Sequence, residues 1–164
     1  MATGDEVLAV AAALRLRFVR TDVWPMVAAH LLASGHDGVA TAELAGLSQA
    51  ASGWQVDQLV SRLLSEIGAP ALEVEQAGDV MARLLAQHSP GTGHPVIRAL
   101  APLAGRLDYP GGRIGQAYYL DEWLDCECHE GSKERQDADL FEEDLRRLPP
   151  LQVPDAFLAA LVGG

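Results

Sequence analysis

Apolar residues recur every three or four positions along most of the chain, and this spacing predicts α-helices. The clearest stripe lies in residues 52–67, where the apolar side chains share one face of a helix. Ser52 and Gln55 have the spacing of a capping box at its start, and Gly68 can adopt the left-handed conformation that closes a helix. The stripe consists of Val56, Leu59, Val60, Leu63, Leu64 and Ile67.

Similar stripes predict helices along the rest of the chain. The segments are Val7–Phe18, Val23–Leu31, Thr41–Leu47, Ala77–His88, Ile97–Leu107, Arg113–His129, Ser132–Leu148 and a short helix after Pro154. Pro102 predicts a kink or a break, because proline lacks a backbone N–H and clashes with the preceding turn. No segment shows the strict alternation of a strand, although Ala71–Glu75 could form one. The pattern predicts an all-α, single-domain helical bundle of about seven or eight helices.

The predicted domain spans residues 1–164 and has three parts. Residues 1–88 form an N-terminal helical half, residues 89–112 a loop and a kinked helix, and residues 113–164 an acidic helical hairpin with a C-terminal helix. Hydrophobic residues make up 49% of the chain but aromatic residues only 5%, which favours a core of Leu, Val and Ala between packed helices.

The net charge of -11 is concentrated in one segment. Asp121–Asp144 contains eleven acids and two bases. This charge argues against a nucleic-acid or anionic-membrane partner, because both attract positively charged proteins. The N-terminus lacks the basic region of a signal peptide, and no apolar run reaches the roughly 18 residues of a membrane span. We therefore expect a cytoplasmic protein.

Two aromatic residues in the acidic segment predict a binding surface. Tyr119 and Trp123 fall opposite the apolar face of their predicted helix. The predicted partner-binding residues are Tyr119, Glu122, Trp123, Glu127 and Glu130. We predict a small regulatory module, more a binding protein than an enzyme, whose carboxylates steer a basic protein partner and whose aromatic rings anchor it.

The same segment offers an alternative as a metal site or a metal-dependent enzyme. Asp121 and Asp125 fall inside or beside the apolar face of the helix, where carboxylates need an explanation. One explanation is pairing with Arg113, Arg146 or Arg147, or a place at the rim of the face. The other is metal binding: although no cofactor is expected for a binding module, zinc is the candidate ion, since thiolate and imidazole suit zinc. The candidate ligands are Asp121, Asp125, Cys126, Cys128 and His129, with further ligands from His30, His36, His88 or His94.

The stretch TAELAGLSQAASGWQVDQLVSRLL, residues 41–64, resembles a helix-turn-helix. The resemblance implies that the second helix enters the DNA major groove and reads base edges with its exposed residues. The turn is about one residue longer than in that family. The exposed face of the second helix carries little positive charge, which puts DNA binding in doubt.

Two pairs of acids resemble the paired acidic motifs of all-α nucleotide pyrophosphohydrolases. The pairs are Glu122-x-x-Asp125 and Asp139-x-x-Glu142, on two successive predicted helices. The resemblance implies that the two helices hold Mg²⁺ for a nucleotide phosphate. The order of acids departs from that family's motifs, and its phosphate-binding basic residues have no match here, so the activity is in doubt.

Overall fold

The computed structural model describes residues 4–48, 51–89, 91–125 and 133–163. All regular structure in these ranges is helical, and no strand occurs in them. The all-α prediction is therefore confirmed for the described residues. The helices are α1 (Gly4–Arg15), a 3-10 turn (Thr21–Val23), α2 (Trp24–Ala33), α3 (Val39–Ala45), α4 (Gly53–Glu66), α5 (Val74–His88), α6 (Pro95–Leu100), α7 (Leu103–Arg106), α8 (Gly112–Leu124), α9 (Lys133–Arg147) and α10 (Asp155–Val162).

The described residues form two compact units. The first contains the chain up to Leu72 together with the residues from Gln152 onward, and the second runs from Glu73 to Leu151. The C-terminal helix α10, which the sequence analysis grouped with the acidic hairpin, packs against α2 in the first unit. The prediction that residues 1–164 make a single domain stays a prediction.

In the first unit, local capping fixes the start and end of α4 and the start of α3. The backbone N–H of Gln55 donates a hydrogen bond to the side-chain oxygen of Ser52, and the backbone N–H of Ser52 donates one to the side-chain oxygen of Gln55. The predicted capping box is therefore confirmed. Gly68 has a φ of 64°, the left-handed conformation that its position after α4 requires. Glu66, in the last turn of α4, accepts the backbone N–H of Ala40 at 2.8 Å and so caps α3.

In the second unit, Pro102 breaks its predicted helix into α6 and α7. Glu142 of α9, only 2% exposed, accepts the backbone N–H groups of Val96 and Ile97 at 2.9 and 3.2 Å. The same carboxylate is paired with Arg146, one turn further along α9, at 2.7 Å. The start of α6 is therefore held to α9 by a buried, charged hydrogen-bond acceptor.

Helix bounds differ from the predicted ones in several places. Residues Ala71–Glu75, the one segment considered as a possible strand, do not form one, since Glu73 caps α5 and the helix begins at Val74. Helix α8 ends at Leu124 and Asp125 follows it, while residues 126–132, which include the rest of its predicted extent, lie outside the described residues. Among the helices that the structure describes, none is long and apolar enough to cross a membrane.

Candidate interaction surface

Helix α8 presents one face to the core of the second unit and the opposite face to solvent. Ile114, Ala117 and Leu120 are buried, and their three-residue spacing places them on one side of the helix. Gly78 of α5 permits this packing, because a Cβ there would lie 3.2 Å from the Ile114 side chain. The exposed side of α8 is thereby fixed in position by a rigid apolar contact.

The solvent face of α8 carries the predicted pair of aromatic residues. The rings of Tyr119 and Trp123 are 6.2 Å apart between centroids and meet at 63°, an edge-to-face arrangement. Tyr119 is 53% exposed, and Trp123 is partly buried. One turn of helix separates the two residues, so the backbone presents their rings side by side.

A second aromatic pair adjoins the first and was not predicted. Tyr109, in the turn before α8, meets Tyr118 edge to face with a centroid distance of 5.3 Å. Tyr109 is 63% exposed, although it is one of the largest side chains of the unit. It lies there because Asp108 and Tyr109 both have a left-handed backbone, with φ of 58° and 51°. We name the four rings of Tyr109, Tyr118, Tyr119 and Trp123, together with Glu122, the α8 surface.

Glu122 lies between the two aromatic pairs. The Tyr118 hydroxyl donates a hydrogen bond of 2.8 Å to Oε1 of Glu122. This hydrogen bond, together with the negative charge of Glu122, raises the pKa of Tyr118 above its ordinary value. Tyr118 therefore remains a neutral donor at physiological pH.

Asp121 and Asp125 are paired with Arg98 of α6. Its guanidinium nitrogens lie 2.8 Å from Oδ1 of Asp121 and 2.6 Å from Oδ1 of Asp125. The hydrogen bond from Arg98 and its positive charge lower the pKa of Asp125, and the hydrogen bond to Asp125 raises the pKa of Arg98. Pairing with Arg98 thus explains why two carboxylates lie at the edge of the apolar face.

The three arginines named as possible partners of these aspartates pair with other acids, whereas the alternative, a place at the rim of the apolar face, agrees with the 74% exposure of the Asp125 side chain. Arg113 lies 3.5 Å from Asp79, Arg146 pairs with Glu142, and Arg147 with Glu143 at 2.6 Å. Arg113 also lies over the ring of Phe141, with its guanidinium carbon 5.4 Å from the ring centroid. Sequence reasoning missed Arg98, because it lies outside the acidic segment and reaches α8 only through the packing of α6.

The predicted metal ligands divide into two groups. Asp121 and Asp125 are described and paired with Arg98, whereas Cys126, Cys128 and His129 lie outside the described residues, as do Glu127 and Glu130. Within the described ranges, no group of three or more His, Cys, Asp or Glu side chains could hold a metal ion.

The four acids of the paired motifs each contact a protein donor. Beyond Glu122 and Asp125, Asp139 lies 2.7 Å from Nε2 of His94, and Glu142 is the buried cap of α6. These contacts direct the four carboxylates to four different partners. The packing of α8 against α9 therefore does not by itself produce a shared cation site.

In the first unit, the exposed face of α4 has little positive charge. Its arginine, Arg62, is paired with Glu43 of α3 at 2.9 Å, and Trp54 is 68% exposed near the start of the helix. A groove of about 640 Å³ lies near this helix start, and its walls include Val23, Met26 and Val56. These walls are mainly apolar, which suits shape-based contacts better than recognition of a phosphate backbone.

Comparison of the chain with known protein families, with characterised proteins and with solved structures gives no match.

Proposed function

We propose that the protein binds a basic protein partner through the α8 surface. The observation that carries this proposal is the group of neighbouring aromatic rings on one exposed side of the second unit, with Tyr109 and Tyr119 more than half exposed. Tyrosine and tryptophan are enriched among the residues that contribute most to binding energy at protein interfaces, because they combine a large apolar area with a polar group.

The backbone before α8 supports the proposal. A residue other than glycine in the left-handed region is uncommon, and here Asp108 and Tyr109 adopt it in succession. Such conformations cost on the order of 1 kcal/mol each and concentrate at functional sites. In this turn the cost is associated with an exposed aromatic ring, which packing of the core alone does not require.

The charge of the segment supports a basic partner. The eleven acids and two bases between Asp121 and Asp144 give the region around the α8 surface a strong excess of negative charge. Such a field accelerates encounter with a positively charged protein, and the acceleration falls as salt concentration rises. A regulatory role and a cytoplasmic location are part of the proposal.

The other predictions have less support from the described residues. Zinc binding depends on Cys126, Cys128 and His129 and stays a prediction. The bundle arrangement and the helix-turn-helix-like pair of α3 and α4 also stay predictions, and the pairing of Arg62 with Glu43 gives no support to DNA binding. A Mg²⁺-dependent pyrophosphohydrolase would need carboxylates that here contact His94, Arg98, Arg146 and Tyr118.

The proposal can be tested by affinity capture with matched variants. The immobilised protein is exposed to extract of the cells that produce it, and retained proteins are identified by mass spectrometry. The test variant is the double substitution Tyr119→Ser, Trp123→Ser. The control is Trp54→Ser, which removes a more exposed aromatic ring, 68% against 53% for Tyr119, from the first unit.

We expect a protein with a basic surface to be retained by the wild type and by Trp54→Ser, lost by the double variant, and released by raised salt. Circular dichroism of each variant checks that the helices remain folded. Retention of the same proteins by the wild type, the double variant and Trp54→Ser would contradict the proposal.

A further inference from the structure

The three acids at the end of α8 are not equivalent. Asp121 in α8 and Asp125 just after it are both paired with Arg98 inside the chain, which supplies one positive charge to the two carboxylates. Glu122 is exposed, and its hydrogen-bond partner Tyr118 is neutral. In the part of the chain that the structure describes, no cation pairs with Glu122. It is therefore the carboxylate of α8 whose charge is available to a partner.

Helical geometry places aromatic rings on both sides of this carboxylate. At about 100° per residue, Glu122 projects between Tyr118 and Tyr119, one turn beyond them. The Tyr118 hydroxyl holds Oε1 of Glu122, which fixes the orientation of the carboxylate and leaves Oε2 and the remaining lone pair of Oε1 for another donor. The ring of Tyr118 is itself held by Tyr109.

A carboxylate flanked by aromatic rings suits a guanidinium group better than an ammonium group. Guanidinium is planar, stacks on aromatic faces and donates two parallel hydrogen bonds to one carboxylate. An ammonium group is a compact, strongly hydrated charge that lacks this planar match. Both kinds of contact occur within the chain, since Arg20 donates two hydrogen bonds to the carboxylate of Asp22 and Arg113 lies over the ring of Phe141.

We infer that Glu122, flanked by Tyr118 and Tyr119, receives an arginine side chain of the partner protein. The inference rests on the proposed function and specifies its recognition chemistry. Tyr119 and Trp123 supply apolar contact area, and Glu122 selects arginine over lysine.

The test uses two acetylated, amidated peptides of equal length, one with four arginines and one with four lysines. Binding is measured by chemical-shift changes in the NMR spectrum of the full chain. The test variant is Glu122→Gln, which keeps the shape of the side chain and removes its charge. The control is Asp137→Asn, which removes one charge from an exposed position of α9 in the same acidic segment.

We expect the arginine peptide to shift resonances of the α8 surface and to bind about tenfold more tightly than the lysine peptide. Glu122→Gln should weaken binding of the arginine peptide about tenfold, and Asp137→Asn should weaken this binding much less. Equal binding of the two peptides, equal effects of the two variants, or the absence of shifts on α8 would each overturn the inference.

The capture experiment separates failure of this inference from failure of the proposed function. If the double variant Tyr119→Ser, Trp123→Ser loses the partner but Glu122→Gln retains it, the result supports the binding surface and contradicts its selectivity for arginine. If neither variant changes retention, the proposed function itself fails. Loss of the partner with both variants supports both.

Discussion

One guanidinium nitrogen of Arg98 lies 2.6 Å from Oδ1 of Asp125, and this contact joins α6 to the residue that follows α8. The same guanidinium group reaches Asp121, one turn earlier. A single arginine thus pairs with two of the three acids at positions 121, 122 and 125, and Glu122 is the one of the three with no cation partner among the described residues.

The pKa of Asp125 is the most direct measure of that contact. Its hydrogen bond from Arg98 lowers the pKa below the ordinary value of about 3.9. A carboxyl whose pKa is lowered by folding contributes to stability above that ordinary value, and the contribution is lost as pH falls through the pKa of the folded state. We expect an NMR titration of the Asp125 carboxyl carbon to give the lowered pKa, and Arg98→Gln to raise it toward the ordinary value.

A matched variant tests whether the effect on Asp125 is specific. Arg113→Gln also removes one positive charge from the second unit, but Arg113 pairs with Asp79 and not with Asp125. The Asp125 pKa should therefore stay near its wild-type value in Arg113→Gln. An equal rise in both variants would show that overall charge, and not the contact with Arg98, sets this pKa.

Two neighbouring glutamates of α9 should differ in their contribution to stability. Glu142→Ala leaves the N–H groups of Val96 and Ile97 without their acceptor and removes the partner of Arg146. Because Arg146 is partly exposed, we expect a loss of about 2–4 kcal/mol in the free energy of unfolding, below the largest values for buried pairs.

The exposed neighbour Glu143 serves as the control. It pairs with Arg147 one turn away, and Glu143→Ala should cost about 0.5 kcal/mol or less. Urea denaturation of both variants measures the two values. Similar losses for Glu142→Ala and Glu143→Ala would contradict the role of Glu142 as the buried cap of α6.

Magnesium should have little effect on the folded protein. The acids at 122, 125, 139 and 142 contact four different protein partners and are not directed to one point. An ion that binds only the folded state raises the unfolding temperature, and the stabilisation grows with the logarithm of the ion concentration divided by its Kd. We expect thermal unfolding to be unchanged by millimolar Mg²⁺, with equal ionic strength of NaCl as control. A rise specific to Mg²⁺ would restore the pyrophosphohydrolase hypothesis.

Local features were the most predictable part of this fold. The capping box of Ser52 and Gln55, the left-handed Gly68 and the interruption at Pro102 all follow from interactions within a few residues. Local rules also placed Tyr119 and Trp123 on the same side of α8. In these cases the backbone hydrogen-bonding pattern and the helical period determine the result.

The parts of the surface that depend on tertiary packing were not predictable. Eleven acids in 24 positions offer many partners to any arginine, and only the packing of α6 on α8 selects Arg98 for Asp121 and Asp125. The left-handed backbone of Tyr109 could not be predicted from the sequence either, since glycine is the residue that normally indicates this conformation.

The central claim, that the α8 surface binds a protein, is tested most directly by photo-cross-linking in living cells. The cross-linker p-benzoylphenylalanine replaces Tyr119 in one chain and Trp54 in another, so both probes occupy exposed aromatic positions. We expect a discrete cross-linked protein at position 119, competed by unlabelled wild-type chain, and none at position 54. A discrete adduct only at position 54, or the same adducts at both positions, would contradict it.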